Sequence, residues 1–201
     1  MAVITVVDPG ENNDIYTNLL AAFTAASDGD TVSIPYSKTY VITGNITVTK
    51  KVSLIGNGIS NTIIKRSEVS SDGQLETWNS IITFTRPNIT VSGYTYNDDK
   101  PCGIVLSGIT FKSKIPSTDD GTDGGSMAAD RGVRFINCVD FKVYNCRFEN
   151  FGDGGLEVRH RDYLARGLVY NCEFYNNAKG ALGLGLGYGV TVYGEGKEWV
   201  Y

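Results

Sequence analysis

Basic blocks, long apolar runs and histidine are what this 201-residue chain has least of. Its 18 Lys and Arg are outnumbered by 22 Asp and Glu, and the charges are scattered rather than blocked. That argues against a nucleic-acid or anionic-membrane partner held by a basic patch. No uninterrupted apolar run approaches the roughly 18 residues of a bilayer span, so no segment reads as a transmembrane helix. The start, Met1-Ala-Val-Ile-Thr-Val-Val-Asp-Pro9, lacks the charged, apolar and small-residue regions of an export signal. The expectation is that any such signal has been removed or never existed. The four cysteines, Cys102, Cys138, Cys146 and Cys172, have neither CxxC spacing nor a histidine close enough for zinc.

The length suits one domain, 1–201, rather than two. Only one stretch, 14–27, reads as a helix. Asp14 is placed to cap it, and Ile15, Tyr16, Leu19, Leu20 and Phe23 form its apolar stripe before Ser27-Asp-Gly29 ends it. The remainder is strand and turn. Thr31–Ile34, Thr39–Ile42, Asn45–Val48 and Val52–Leu54 are short alternating runs rich in β-branched residues, broken by Gly, Asn, Lys or Pro.

Internal repeats decide between a sandwich and a solenoid. Val143-Tyr-Asn-Cys-Arg-Phe148 recurs as Val169-Tyr-Asn-Cys-Glu-Phe174, 26 residues on. Looser copies run from Ile82-Thr-Phe84 to Asn88-Ile-Thr-Val-Ser-Gly93, at Leu106-Ser-Gly-Ile-Thr-Phe111, and from Gly189-Val-Thr-Val192 to Val200-Tyr201, aligned with Val143-Tyr144. Such a period is that of one coil of a parallel β-solenoid, whose backbone groups are satisfied only by stacking on another coil. Val133/Phe135, Leu156/Val158 and Val190/Val192 are expected to point into the lumen of equivalent strands. Because the last copy stops at Val200-Tyr201, the chain is expected to end in mid-coil, as the N-terminal part of a longer solenoid or beneath a partner.

The order Leu19-Leu-Ala-Ala-Phe-Thr-Ala-Ala-Ser-Asp-Gly-Asp-Thr-Val-Ser-Ile-Pro35, Tyr40-Val-Ile42, Ile46-Thr-Val48 and Val52-Ser-Leu-Ile-Gly-Asn-Gly58 resembles the N-terminal part of the pectate-lyase-like right-handed parallel β-helix superfamily. The later Asn-Cys-x-Phe-x-Asn words are similar to its central coils. The resemblance covers about residues 14–201 and implies an all-β parallel β-helix with a helix plugging its N-terminal end. It leaves activity open among polysaccharide lyases, glycoside hydrolases, phage tailspikes and non-catalytic adhesins.

The densest chemistry lies in Asp153-Gly-Gly-Leu-Glu157-Val-Arg159-His160-Arg161-Asp162. With Leu156 and Val158 inward, Glu157 and Arg159 face outward. Arg134 on the preceding coil falls about 4.8 Å from Glu157. In lyases of the superfamily an acidic sugar lies across such a row, and β-elimination requires its carboxylate neutralised and the adjacent proton removed. Arg134 or Arg161 then neutralises, and Arg159 or His160 is the base. A plain cross-strand ion pair of Glu157 with Arg134 fits the same residues, and a lone imidazole near a strand end, as His160 is, is more often a hydrogen-bonded structural residue than a base. No carboxylate pair matches a polygalacturonase-type pattern, so hydrolysis ranks below elimination.

Asp119, Asp123 and Asp130, spaced by glycines, suit a calcium loop except for the missing final glutamate; an acidic surface loop is the alternative. Gly183, Gly185, Gly187 and Gly189 leave backbone uncovered for a sugar chain or mark an insertion. Tyr188 and Tyr193 are placed to stack on sugar faces. Cys146 and Cys172 hold equivalent positions and read as free thiols in the lumen, although spacing alone leaves a disulfide open. Asn145 and Asn171 before them suit a bend with stacked amides.

The expected function is therefore carbohydrate-active: a polysaccharide lyase on an acidic glycan, alternatively a glycan-binding adhesin or tailspike module, or a self-stacking assembly module that uses the open solenoid end. The expected setting is extracellular, or a virion.

Overall fold

Thr31-Val-Ser33 and Ile46-Thr-Val48 alternate in burial, and the computed structural model shows where their buried side chains go: into the lumen of a right-handed parallel β-helix. The structure describes residues 1–66, 80–86, 88–91, 94–97, 101–113, 131–151, 154–160, 166–175, 177, 188–194 and 199–200. In chain order the elements are β1 (Val3–Thr5), α1 (Tyr16–Ala25), β2 (Thr31–Ser33), β3 (Lys38–Ile42), β4 (Ile46–Val48), β5 (Ser53–Ile55), β6 (Thr62–Arg66) and β7 (Ser80–Thr85). There follow β8 (Asn88–Val91), β9 (Tyr94–Asn97), β10 (Val105–Ser107), β11 (Thr110–Lys112), β12 (Arg131–Ile136), β13 (Phe141–Tyr144), β14 (Arg147–Glu149) and β15 (Gly154–His160). The last are β16 (Arg166–Tyr170), β17 (Glu173–Tyr175), β18 (Tyr188–Gly194) and β19 (Trp199–Val200). Sheet A stacks β1-β2-β5-β10-β13-β16-β19, sheet B stacks β3-β6-β11-β14-β17 and sheet C stacks β4-β7-β12-β15-β18, so each coil contributes one strand to each sheet.

Asparagine and aspartate make the corners. Asn145 and Asn171 between sheets A and B, Asn150 between B and C, and Asn137 and Asp140 between C and A all adopt the left-handed conformation that short polar side chains tolerate. Asn171 Nδ2 donates to Asn145 Oδ1, so the expected amide ladder is present.

The register confirms the repeats. Val143 pairs with Val169, Tyr144 with Tyr170 and Phe148 with Phe174. Val133/Phe135 and Leu156/Val158 are buried in register, as expected, and Val190 packs against the same core. Two repeat assignments are corrected. Asn88–Gly93 is no part of a coil: β8 and β9 form an antiparallel hairpin inserted after β7, and β10 takes the next place in sheet A. Val200 pairs with Gly167, which pairs with Phe141, so it aligns with Phe141 rather than Val143. The shared Val-Tyr word gave a false register.

Helix α1 closes the N-terminal end, shorter than 14–27. Asp14 Oδ1 accepts the Tyr16 N–H at 3.0 Å, and Lys50 Nζ donates to the carbonyls of Thr24 and Ala26 at 2.7 and 2.5 Å, so both helix ends are satisfied. Leu19, Ala22 and Phe23 are buried, whereas Leu20 is 37% exposed and leaves the expected stripe. Phe23 meets Phe84 edge to face at 6.2 Å, sealing the lumen.

Inside, rings stack from coil to coil: Phe111, Phe148 and Phe174 under sheet B, and Phe84, Phe135 and Phe141 where sheets C and A converge. Gly132, Gly155 and Gly189, at equivalent positions in sheet C, leave room for them. A methyl group on Gly132 would lie 2.3 Å from the Gly155 carbonyl oxygen and 3.0 Å from the rings of Phe148 and Phe151. Because the first obstacle is backbone, Gly132→Ala is expected to cost about 1–3 kcal/mol as overpacking. Thermal unfolding checks this; an unchanged melting temperature would mean that coil spacing is set elsewhere.

Candidate functional site on the outer face of sheet C

Strict alternation along β12 would place Arg131 in the lumen with Val133 and Phe135. It breaks at Gly132, where Gly132 and Val133 both lie toward the core, as the buried pair Ile81 and Ile82 does one coil earlier. Arg131 is thereby carried to the outer face beside Arg134. Across the ladder Arg134 pairs with Glu157 and Thr83, so the outer row reads Thr83, Arg134, Glu157, and the backbone of Thr191 continues the register.

Both arginines converge on one carboxylate. Arg134 Nε and Nη2 donate to Glu157 Oε1 at 3.2 and 3.0 Å, and Arg131 Nε contacts Glu157 Oε2. Glu157 is 1% and Arg131 6% exposed. The expected mixed-charge row therefore exists but is sealed rather than solvated. Such a pair of charges taken from water is held by geometry and mutual neutralisation, since each is costly to bury alone.

Arg159 stands on the same face, one pleat (about 7 Å) beyond Glu157. It is exposed, and its guanidinium makes no hydrogen bond or ion pair among the described residues. Its row, Thr85, Ile136, Arg159, runs beside the sealed one, and Tyr193 is the backbone partner of Arg159 in the next strand. The site thus presents one exposed guanidinium next to a buried arginine–carboxylate cluster. Fork-shaped donors of this kind suit carboxylate or sulfate groups in bidentate geometry.

The other sequence candidates fall as follows. His160 ends β15, where its backbone pairs with Gly194, and Tyr188 and Tyr193 lie on β18 opposite Gly154 and Arg159. Arg161, the calcium candidates Asp119, Asp123 and Asp130, and Gly183, Gly185 and Gly187 lie outside the described residues. Among the described residues no group of three or more His, Cys, Asp or Glu side chains is placed to hold a metal ion, and no helix is long and apolar enough to cross a membrane.

Arg131 is the participant that sequence reasoning missed. Its signal was the doublet Gly132-Val133, repeated as Gly155-Leu156 and Gly189-Val190, which marks the same break of alternation in each coil.

The outer face of sheet B is laced by ion pairs. Lys112 pairs with Glu149 at 2.7 Å, and Arg147 lies 3.3 Å from Glu149 and 3.5 Å from Glu173, with its guanidinium 5.1 Å from the Tyr175 ring centre. Half-exposed pairs of this kind contribute little, and no guanidinium is left open there among the described residues.

Neither a protein-family model nor a curated protein matches the chain. Among solved structures, ORF18 of Geobacillus virus E2 is similar, with a TM-score of 0.56 at 17% identity, over 86% of this chain and 31% of the viral one. The likeness is one of fold, and the present chain spans less than a third of the viral protein's length.

Proposed function

We propose that the chain is a glycan-binding parallel β-helix module, holding an acidic polysaccharide across the outer face of sheet C without turning it over. The observation that carries this reading is the exposed Arg159 on the same face as the buried Arg131–Glu157–Arg134 cluster. Arg134, one of the two arginines placed to neutralise a sugar carboxylate, is already engaged by the buried Glu157, which favours binding over elimination. A solenoid repeats its surface at the coil spacing of about 4.8 Å, so a chain of sugars meets a ladder of side chains rather than a single pocket. The viral source of the similar structure supports a virion setting. Tyr188 and Tyr193, in the strand after β15, are proposed to stack on sugar rings there.

Isothermal titration with uronate-containing and neutral polysaccharides tests the reading. Binding is expected for the acidic polymers alone, weakening with added salt, and Arg159→Ala is expected to reduce affinity about tenfold, or about 1.4 kcal/mol. Equal binding of neutral glycans, or affinity unchanged in Arg159→Ala, would remove the arginine face from the mechanism. Ultraviolet-absorbing unsaturated products that disappear in Arg159→Ala would instead show a lyase with Arg159 as base.

A further inference from the structure

Four free thiols bracket β13, and none of them takes part in the site on sheet C. At the corner before β13, Cys138 Sγ lies 3.6 Å from the Phe84 carbonyl and its side chain meets that of Cys102, whose N–H donates to Val139 at 2.7 Å. At the corner after β13, Cys146 and Cys172 occupy the same position of successive coils, one residue before the paired Arg147 and Glu173. Cys172 Sγ lies 3.6 Å from the Val143 carbonyl, so it leans toward the coil that carries Cys146, and the two thiols are close enough to shift each other's ionisation. Coils stack at about 4.8 Å, within the roughly 4.4–6.8 Å between Cα atoms that a disulfide spans. Both cysteines follow an asparagine held in the left-handed conformation, and Asn171 donates to Asn145, so the two corners are locked in the same orientation.

We propose that Cys146 and Cys172 are a redox pair that closes into a disulfide between successive coils when the chain meets a small-molecule disulfide such as oxidised glutathione. The two residues have distinct parts. Cys172 is half-buried and reachable from solvent, whereas Cys146 is buried. The neighbouring Cys146 thiol holds the Cys172 thiol down to about 7, and the same proximity, together with burial, pushes the Cys146 thiol up. Near neutral pH a large share of Cys172 is therefore thiolate, the nucleophilic form. That thiolate attacks one sulfur of oxidised glutathione, forming a mixed disulfide and releasing one glutathione thiolate. Cys146 then loses its proton to solvent, and its sulfur displaces the second glutathione thiolate from Cys172. The protein gives up two protons and two electrons, and two reduced glutathione molecules carry them away. Cys102 and Cys138, 5% and 1% exposed, offer no comparable attacking thiol. Their burial makes them an internal control.

The native full-length chain is incubated with oxidised glutathione, quenched by alkylation and mapped by non-reducing peptide mass spectrometry. A linked Cys146–Cys172 peptide is expected, together with a rise in melting temperature of about 5–10 °C from closing the intervening loop. Cys146→Ala is expected to accumulate glutathione on Cys172, and Cys172→Ala to accumulate neither adduct nor disulfide at this corner. Alkylation of Cys172 by iodoacetamide is expected to rise with pH through about 7. The proposal is overturned if Cys172 stays unmodified in the native chain while urea-unfolded chain oxidises. It is equally overturned if the wild-type adduct on Cys172 persists without resolution by Cys146, or if Cys102 and Cys138 react first.

Discussion

Replacing Glu157 by alanine is expected to lower stability by about 3–5 kcal/mol, because it leaves the guanidinium groups of Arg131 and Arg134 facing each other with their shared counter-ion gone. The side chains of Arg131 and Glu157 are 7% and 2% exposed, so water does little to screen the loss. At about 2–4 °C per kcal/mol for a chain of this size, the melting temperature should fall by roughly 6–20 °C. Removing the carboxylate alone should cost more than replacing all three residues together by apolar ones of similar volume, since the intact triad itself carries a desolvation penalty. Urea unfolding of Glu157→Ala, Glu157→Gln and the triple replacement separates the two quantities. A loss below about 1 kcal/mol for Glu157→Ala would place the cluster in the class of solvated surface pairs. The consequence for function is direct: if the triad is structural, Arg159→Ala changes glycan affinity at constant stability, and Glu157→Ala changes stability first.

Phe148→Ala is expected to cost about 3–5 kcal/mol as well, through a cavity rather than a charge. The Phe148 ring lies 5.6 Å from Phe111 and 5.2 Å from Phe174, so its removal opens the middle of a continuous stack and breaks two coil-to-coil contacts at once. Gly155 offers no relief, since its backbone already approaches the Phe148 Cβ too closely to carry a side chain of its own. Phe174→Ala should cost clearly less, because that ring is only partly buried and stacks on one described phenylalanine. In a solenoid each coil is stabilised chiefly by its neighbours; a loss at Phe148 no greater than at Phe174 would mean that the coils do not share their stability through this stack. Thermal melts of the two variants supply the comparison.

Much of this architecture was legible without coordinates. The recurrence of Val143-Tyr-Asn-Cys-Arg-Phe148 at Val169 implied coils in register, and the alternation of Val133, Phe135, Leu156 and Val158 identified the lumen. Asn145 and Asn171 announced a corner because few residues other than glycine accept the left-handed conformation. The misreadings have a common cause. A short word such as Asn88-Ile-Thr-Val fits a coil strand and a hairpin strand alike, and Val200-Tyr201 fits two registers, because local β pattern does not specify a partner.

The sheet C face was legible in part. Arg134 opposite Glu157 followed from counting residues along equivalent strands. The arrival of Arg131 at the same carboxylate did not, because it depends on the break of alternation at Gly132, which is required by the rings of Phe148 and Phe151. The pairing of Cys146 with Cys172 was implicit in the repeat, but the unequal exposure that makes one thiol attack and the other resolve was not.

What the sequence by itself determined is the parallel β-helix, its capping helix and the stacking of like residues, since these follow from periodicity, turn chemistry and the need of each coil to satisfy its backbone on the next. Only the tertiary structure decided which of the outward charges meet water. Burial is a property of what surrounds a position, and the same strand pattern that leaves Arg159 open closes over Glu157 two residues earlier.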